Sequence, residues 1–344
     1  MTPLTRVEEP LVKPPAEKAP EIKPGQPKAA EPEPARTVPV IPEFGWVSLR
    51  QWCAQHHLGE PVITATETET NVSVQAEHGK FVFEPPRRNA RWNGTLIGSG
   101  FPLQITNGQP FIHALDLAKL VTPFMTTNGN LRKNGGIVVI DPGHGGTNLG
   151  ALSFDRKFRE KEMTLDWAKR IQKLLAGSQW KVFLTREADV DLGLTQRVAF
   201  AEAKKADLFI SLHFNSYSTK DEAGFEAYCL TPQGMSSHLT RGYADDIDAI
   251  YGNNQFDVEN LLLAYDLHRS LLQKTGRKDR GIRRARFMTV LREQRRPAVL
   301  LEGGYLSNPE EAKLIESAEF RQKLAEAVVE ALGVSPPALT SSRE

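Results

Sequence analysis

Only two cysteines, Cys53 and Cys229, occur in 344 residues, which excludes a disulfide scaffold and a cysteine-ligated zinc site. Both are expected as free thiols, because they lie in segments of different texture. No apolar run approaches the roughly 20 residues that cross a bilayer. Met1 to Pro10 also lacks the charged head and apolar centre of a secretory signal. Taken literally that is a cytoplasmic start, although a chain trimmed of its leader reads the same. Excess charge is missing too: 43 Lys plus Arg against 42 Asp plus Glu leave +1, so no global field draws the chain to nucleic acid or an anionic membrane. Neither a Gly-x-Ser-x-Gly elbow nor a Walker-type phosphate loop is present, against a serine hydrolase and a nucleotide enzyme. The length suits one full-sized domain plus a smaller one.

The texture changes twice along the chain. Residues 1–43 are Pro, Glu, Lys and Ala, with 11 of the 23 prolines. They bury too little apolar surface to fold and read as an extended, semi-rigid linker. Over 44–130, short apolar runs alternate with turn signals, the pattern of a small β-rich domain. Strands are expected near Trp46 to Leu49, Val72 to Val74, Lys80 to Phe83, Thr95 to Ile97, Phe101 to Ile105 and Pro110 to Ile112. Short helices are expected over Leu49 to His56 and Ala114 to Val121. His56, His57, His78 and His113 have no spacing of a closed metal site. Within 135–333, strands alternate with helices, which predicts an α/β fold: a mainly parallel sheet with helices on both faces. Strands are placed at Ile137 to Asp141, Lys181 to Thr185, Asp207 to His213, Phe225 to Leu230 and Pro297 to Glu302. Helices are placed at Lys161 to Leu175, Thr195 to Lys204, Glu259 to Thr275 and Pro309 to Leu332, the last broken near Ser317. Thr231 to Val258 reads as a loop insertion, and 334–344 as a flexible tail.

Three of those strands end in chemistry. The first runs into Asp141-Pro142-Gly143-His144-Gly145-Gly146, a histidine on a glycine turn; another stops at His213. In an open α/β sheet, parallel neighbours bring such strand ends over one crevice. In the helix that follows the first strand, Met163, Trp167, Ile171 and Leu174 form the apolar stripe, and one turn back lies Glu160, directed inward while Glu162 points away. A first-turn glutamate also suits the helix dipole, but an inward carboxylate needs a partner or a cation. Two histidines and a glutamate are a ligand set of catalytic zinc, at about 2.0 to 2.2 Å each with a fourth position for water. Glu302, at the end of the last apolar strand, fits a base that takes a proton from water better than a fourth ligand, which would close the site.

These residues resemble a known family. The turn at His144, Glu160-Lys161, Leu184-Thr185-Arg186 with Arg197, Ser211 to Asn215, Arg280-Gly281-Ile282-Arg283 and Leu301 to Asn308 are similar, in order, to the zinc-dependent N-acetylmuramoyl-L-alanine amidases of the Amidase_3 type. The resemblance implies zinc on His144, Glu160 and His213, a catalytic Glu302, and cleavage of the amide joining N-acetylmuramic acid to L-alanine in bacterial peptidoglycan. Asn148 stands where the family often has Asp, and Gly304-Tyr305 where Gly-Phe is usual. Some relatives carry a helix that blocks the zinc in the region of 231–258; weak helical periodicity here predicts no such block. Arg91 to Thr95, with Asn107-Gly108 and Asp116, resembles the copper amine oxidase N-terminal-like domain of envelope proteins.

Peptidoglycan is therefore the expected partner, with an envelope activator or anchor at the N-terminal domain, and neither nucleic acid nor a transmembrane segment. The substrate places the protein in the cell envelope, at the periplasm. Alternatives from the same residues are a zinc carboxypeptidase of peptide stems and a non-catalytic wall-binding protein. Arg277 to Arg286 is a basic cluster, either a solvated face or a contact for substrate carboxylates, with Arg283 the member nearest the cleft. His238 and His268 are expected in structural or solvent roles.

Overall fold

The computed structural model describes residues 45–127 and 135–335, which fall in one compact unit. The 1–43 linker and most of the 334–344 tail lie outside the described residues. The N-terminal part runs β1 (Trp46–Ser48), α1 (Leu49–Gln55), β2 (Val62–Ala65), β3 (Thr70–Ala76), β4 (Gly79–Phe83), β5 (Asn89–Trp92), β6 (Thr95–Gly98), β7 (Gln104–Thr106) and β8 (Gln109–His113). It closes with α2 (Ala114–Asp116) and α3 (Thr122–Thr127), joined by a π turn at Leu117–Val121. The remainder runs β9 (Gly136–Pro142), α4 (Glu160–Leu174), β10 (Trp180–Leu184), α5 (Leu194–Ala203), β11 (Leu208–Asn215), β12 (Phe225–Cys229), α6 (Asp257–Thr275), β13 (Asp279–Arg284), α7 (Thr289–Arg292), β14 (Ala298–Tyr305), α8 (Pro309–Glu316) and α9 (Ala318–Ala331).

Two Asn-Gly turns organise the N-terminal hairpins. Asn93-Gly94 and Asn107-Gly108 all take positive φ, between 48° and 86°, the backbone that two-residue hairpin loops demand and that Asn and Gly tolerate best. They close β5 on β6 and β7 on β8, both antiparallel. Phe81, Trp92 and Phe124 pack with ring centroids 4.6 to 5.8 Å apart as a buried aromatic core.

An eleven-stranded sheet dominates, in the order β10-β9-β11-β14-β12-β13-β6-β5-β4-β3-β2. The α/β architecture expected from the sequence is present. Pairings β10–β9, β9–β11, β11–β14 and β12–β13 are parallel, while β12 meets β14 antiparallel. Alternate strand residues feed two apolar layers. Val138, Ile140, Ile210, Leu212, Val299 and Leu301 join Trp167, Ile171, Leu263 and Val328 of α4, α6 and α9 on one face. Val139, Phe209, Leu300 and Tyr228 join Ala201 and Leu291 of α5 and α7 on the other.

The sheet does not stop at the N-terminal part: β13 pairs in parallel with β6 through Ile282 and Ile97. The insertion strengthens this junction. His238 donates through Nε2 to the Ser99 carbonyl at 2.9 Å and accepts the Arg284 amide at Nδ1 at 3.1 Å. Its ring lies so close to Gly98 that a Cβ there would come within 2.4 Å. Burial and the charges of Arg88 and Arg284 push His238 down to about 3, so it works as a neutral bridge. Both cysteines are buried free thiols, and no described helix is long and apolar enough to cross a membrane.

Candidate metal centre

β9 and β11 are neighbours, so His144, just past the end of β9, and His213, near the end of β11, reach the same crevice. The helical stripe delivers Glu160 between them. His213 Nδ1 lies 2.9 Å from Glu160 Oε1 and His144 Nε2 lies 3.0 Å from Glu160 Oε2. The ligand atoms of all three lie within 4.8 Å of one another. Glu160 also accepts the Ala151 and Phe214 amides, at 2.7 and 3.0 Å. Burial opposes its ionisation, but the two imidazoles overcome this and hold the carboxyl well below its ordinary range.

The turn is built for close approach. His144 adopts φ 62°, a conformation rare outside glycine and retained where surrounding contacts enforce it. A Cβ on Gly143 would lie 2.4 Å from the His213 ring, and one on Gly150 would lie 2.6 Å from Glu160 Oε2. Two buried arginines enforce the turn. Arg197 pairs with Asp141 at 2.6 Å and donates to the carbonyls of Pro142 and His144, at 2.8 and 2.7 Å. Arg186 donates to the Pro142, Gly143 and Lys161 carbonyls, at 3.0, 2.8 and 2.8 Å. The family-like Thr185 and Ser211 hydroxyls bind the Asp141 carboxylate at 2.5 and 2.8 Å. These residues shape the turn rather than face the crevice.

The donor set fits a divalent metal. Two imidazoles converge on one buried carboxylate, and His144 Nδ1 is engaged by Asn148 Oδ1 at 2.9 Å, which leaves Nε2 as the inward donor. An outward hydrogen bond of this kind fixes ring orientation in zinc sites. Asn148, a departure from the usual Asp, thus supplies the same acceptor without a charge.

Across the sheet the site continues as a row. His213 of β11 registers with Glu302 of β14, and Glu302 registers with Glu226 of β12. Partnered residues share a face, so the three side chains stand side by side. Glu302 is 5% exposed, and its Oε2 is buried with no hydrogen-bond partner among the described residues. Burial, then the charges of Glu160 and Glu226, raise its carboxyl well above its ordinary value; Arg241, on the insertion, offsets part of this. Glu226, by contrast, is saturated. It accepts Asn215 Nδ2 at 3.0 Å, Tyr228 OH at 2.9 Å and Arg280 Nε at 3.3 Å, and forms an ion pair with Arg283, whose Nε lies 3.1 Å away.

All four residues singled out in the sequence therefore meet in this crevice, and His238 and His268 do not: His268 is fully buried against Asp279 at 2.8 Å. Sequence reasoning missed Glu226 and Arg241. The signal for Glu226 was a lone carboxylate in the apolar run Phe225 to Tyr228; Arg241 offered none. Neither the 3-10 turn at Gly252–Phe256 nor the rest of the insertion forms an α-helix before α6.

Comparison with known proteins finds relatives over the second part of the chain. The family model for N-acetylmuramoyl-L-alanine amidase matches residues 138–333. N-acetylmuramoyl-L-alanine amidase AmiA of Escherichia coli strain K12 is 32% identical over 232 residues, which cover 60% of this chain and 80% of that protein. AmiC of Escherichia coli O6:H1 is 30% identical over 214 residues, 56% of this chain and 51% of that protein. The chain thus spans about half the length of AmiC. The catalytic domain of CwlV, an N-acetylmuramoyl-L-alanine amidase from Bacillus (Paenibacillus) polymyxa var. colistinus, is 32% identical with a TM-score of 0.48, covering 57% of this chain and 96% of that one. With more than half of its length matched by the family model, the chain belongs to the N-acetylmuramoyl-L-alanine amidase family.

Proposed function

We propose that this protein hydrolyses the amide between N-acetylmuramic acid and the L-alanine of the peptide stem in bacterial peptidoglycan. The observation that carries this reading is one crevice holding two imidazoles around a buried carboxylate, beside a second buried carboxylate with an unpartnered oxygen. His144, Glu160 and His213 would hold zinc. The chemistry zinc supplies when bound is Lewis-acid polarisation of the amide carbonyl and acidification of water to a pKa of about 7.

Glu302 does the proton work. Its raised affinity for a proton suits a base that takes one from the attacking water. It takes that proton as the water oxygen bonds to the amide carbon, then returns it to the alanine nitrogen as the C–N bond breaks. Asn148 keeps the His144 ring in its ligating orientation, and the Arg186 and Arg197 clamps keep the turn from relaxing. We assign hydrolysis to 135–333, and treat 44–130 as a small β-rich domain that shares its sheet. The substrate puts the site of action in the cell envelope, where an activator or anchor would meet the N-terminal domain.

The test is incubation with purified sacculi followed by mass spectrometry. Release of whole stems beginning in L-alanine is expected, abolished by chelation and restored by zinc. Loss of only terminal stem residues would indicate a carboxypeptidase, and full activity after chelation would rule out metal dependence.

A further inference from the structure

Beyond Glu226 the row of side chains reaches a fourth strand. Arg283 of β13 registers with Tyr228 of β12, which itself registers with Leu300 of β14, so Arg283 faces the same side as His213, Glu302 and Glu226. A bulge brings it there in company. The β12–β13 register shifts between Phe225 and Ala227, and Gly281 takes φ 91° with Leu96 Cγ 2.9 Å from where a Cβ would stand. The extra residue lets Arg280 and Arg283, three apart, both address Glu226.

The two guanidiniums then differ. Arg280 is consumed: it pairs with Glu222 as well as Glu226 and lies over the Tyr305 ring at 5.0 Å. Arg283 engages only its Nε, which donates to the Arg280 carbonyl at 3.3 Å and pairs electrostatically with Glu226 at 3.1 Å. Its side chain is 36% exposed against 4% for Glu226. The anchored Nε orients the planar fork, and its two terminal nitrogens carry no hydrogen bond to any described residue. A guanidinium held this way is suited to a carboxylate.

Position selects which carboxylate. Adjacent strands lie about 4.8 Å apart and residues about 3.3 Å apart along them, so the Arg283 backbone, two strands across and two residues along, stands roughly 12 Å from that of Glu302, and its side chain reaches back to Glu226, one strand from Glu302. An extended chain advances about 3.5 Å per residue, so the second stem residue begins about 3.5 Å from the scissile nitrogen and its carboxylate lies roughly 7 Å away, within reach of an arginine side chain extended toward Glu226. We infer that Arg283, held by Glu226, is a specificity residue that binds a free carboxylate on the second residue of the peptide stem. This rests on the amidase reading above, and it predicts preference for stems whose second residue is glutamate over stems in which that carboxylate is amidated.

The experiment compares soluble N-acetylmuramoyl peptides that differ only in glutamate or its amide at the second position, using the full zinc-loaded chain. The wild type is expected to favour the carboxylate by about ten- to a hundredfold in kcat/KM, the range of a hydrogen bond to a charged group, mainly through KM. Arg283→Gln should collapse that ratio toward one, and Arg283→Lys should restore part of it. Thermal unfolding of each variant checks the fold. Equal rates on both peptides by the wild type, or an unchanged ratio in a folded Arg283→Gln, overturn the inference while the amidase reading stands. Cleavage of neither peptide by the wild type overturns the amidase reading itself.

Discussion

The two halves of the sheet are strung differently and used differently. In the antiparallel half, β2 to β6, strands turn back through tight hairpins, and their buried face is aromatic and aliphatic. In the half containing β9, β11 and β14, the parallel strands release their chains at one edge, and there Asp141, Glu160, Arg186, Arg197, Glu226 and Glu302 are all buried. Hairpins consume strand ends in turns. Parallel strands leave them free for loops that carry side chains into a common crevice, so the candidate site gathers in one half.

The comparison can be broken at either end. The largest expected effect is on turnover: Glu302→Gln should lower kcat on sacculi by about 10²–10⁴-fold, the range of a lost general acid–base. Because it removes one of three neighbouring buried carboxylates, it should not lower the unfolding temperature. Trp92→Ala should do the reverse, costing about 3–5 kcal/mol of stability with kcat per folded molecule retained, read by denaturant unfolding beside an activity assay. A Trp92 variant as stable as wild type would show that the hairpin half does not share its cooperativity with the catalytic half.

A third prediction concerns pH. Asp116, 1% exposed, accepts the Gly100 and Phe101 amides at 2.6 and 2.9 Å. Burial outweighs those bonds and the nearby arginines, raising it to about 6. The folded state therefore binds the proton more tightly than the unfolded chain, whose Asp titrates near 3.9. Its contribution is fully present below about pH 4, declines as pH rises to about 6, and is constant above. The decline should amount to about 2–3 kcal/mol, measured as the pH dependence of unfolding free energy in wild type minus Asp116→Asn. A difference flat from pH 4 to 7 would show that the site is better solvated than its burial suggests.

The smallest expected change in activity is at the insertion. Arg286 binds Asp245 at 2.6 Å and the Pro232 carbonyl at 2.8 Å, and His238 bridges to Ser99. Removing residues 234–254 should lower thermal stability without raising hydrolysis. A gain in hydrolysis would instead reveal a blocking role.

Much of this was legible. The apolar runs ending in His213 and Glu302, the glycine turn at His144, the Asn-Gly hairpins and the helix break at Ser317, where the Ser317 hydroxyl caps α9, all follow from local rules. Helical periodicity alone puts Glu160 inward. Two strands of the hairpin region escaped: β2 is exposed throughout and β5, Asn-Ala-Arg-Trp, is polar at alternate positions. β13 escaped because its Asp, Arg and Gly residues read as a basic surface cluster. In the fold Arg280 is neutralised by Glu226 and Glu222, residues more than 50 positions away.

The amino-acid sequence by itself determined the α/β alternation and marked out His144, Glu160, His213 and Glu302, the residues proposed as ligands and base, because each depends on periodicity or on a short strand-end motif. Tertiary structure alone decided three things. The single Ile97–Ile282 pairing made two textures into one sheet. The registers of β11, β14 and β12 lined His213, Glu302 and Glu226 in a row. The bulge at Gly281 turned Arg283 toward that row. Register between distant strands is a cooperative choice of the whole core, since a slip of one residue would send every side chain to the opposite face.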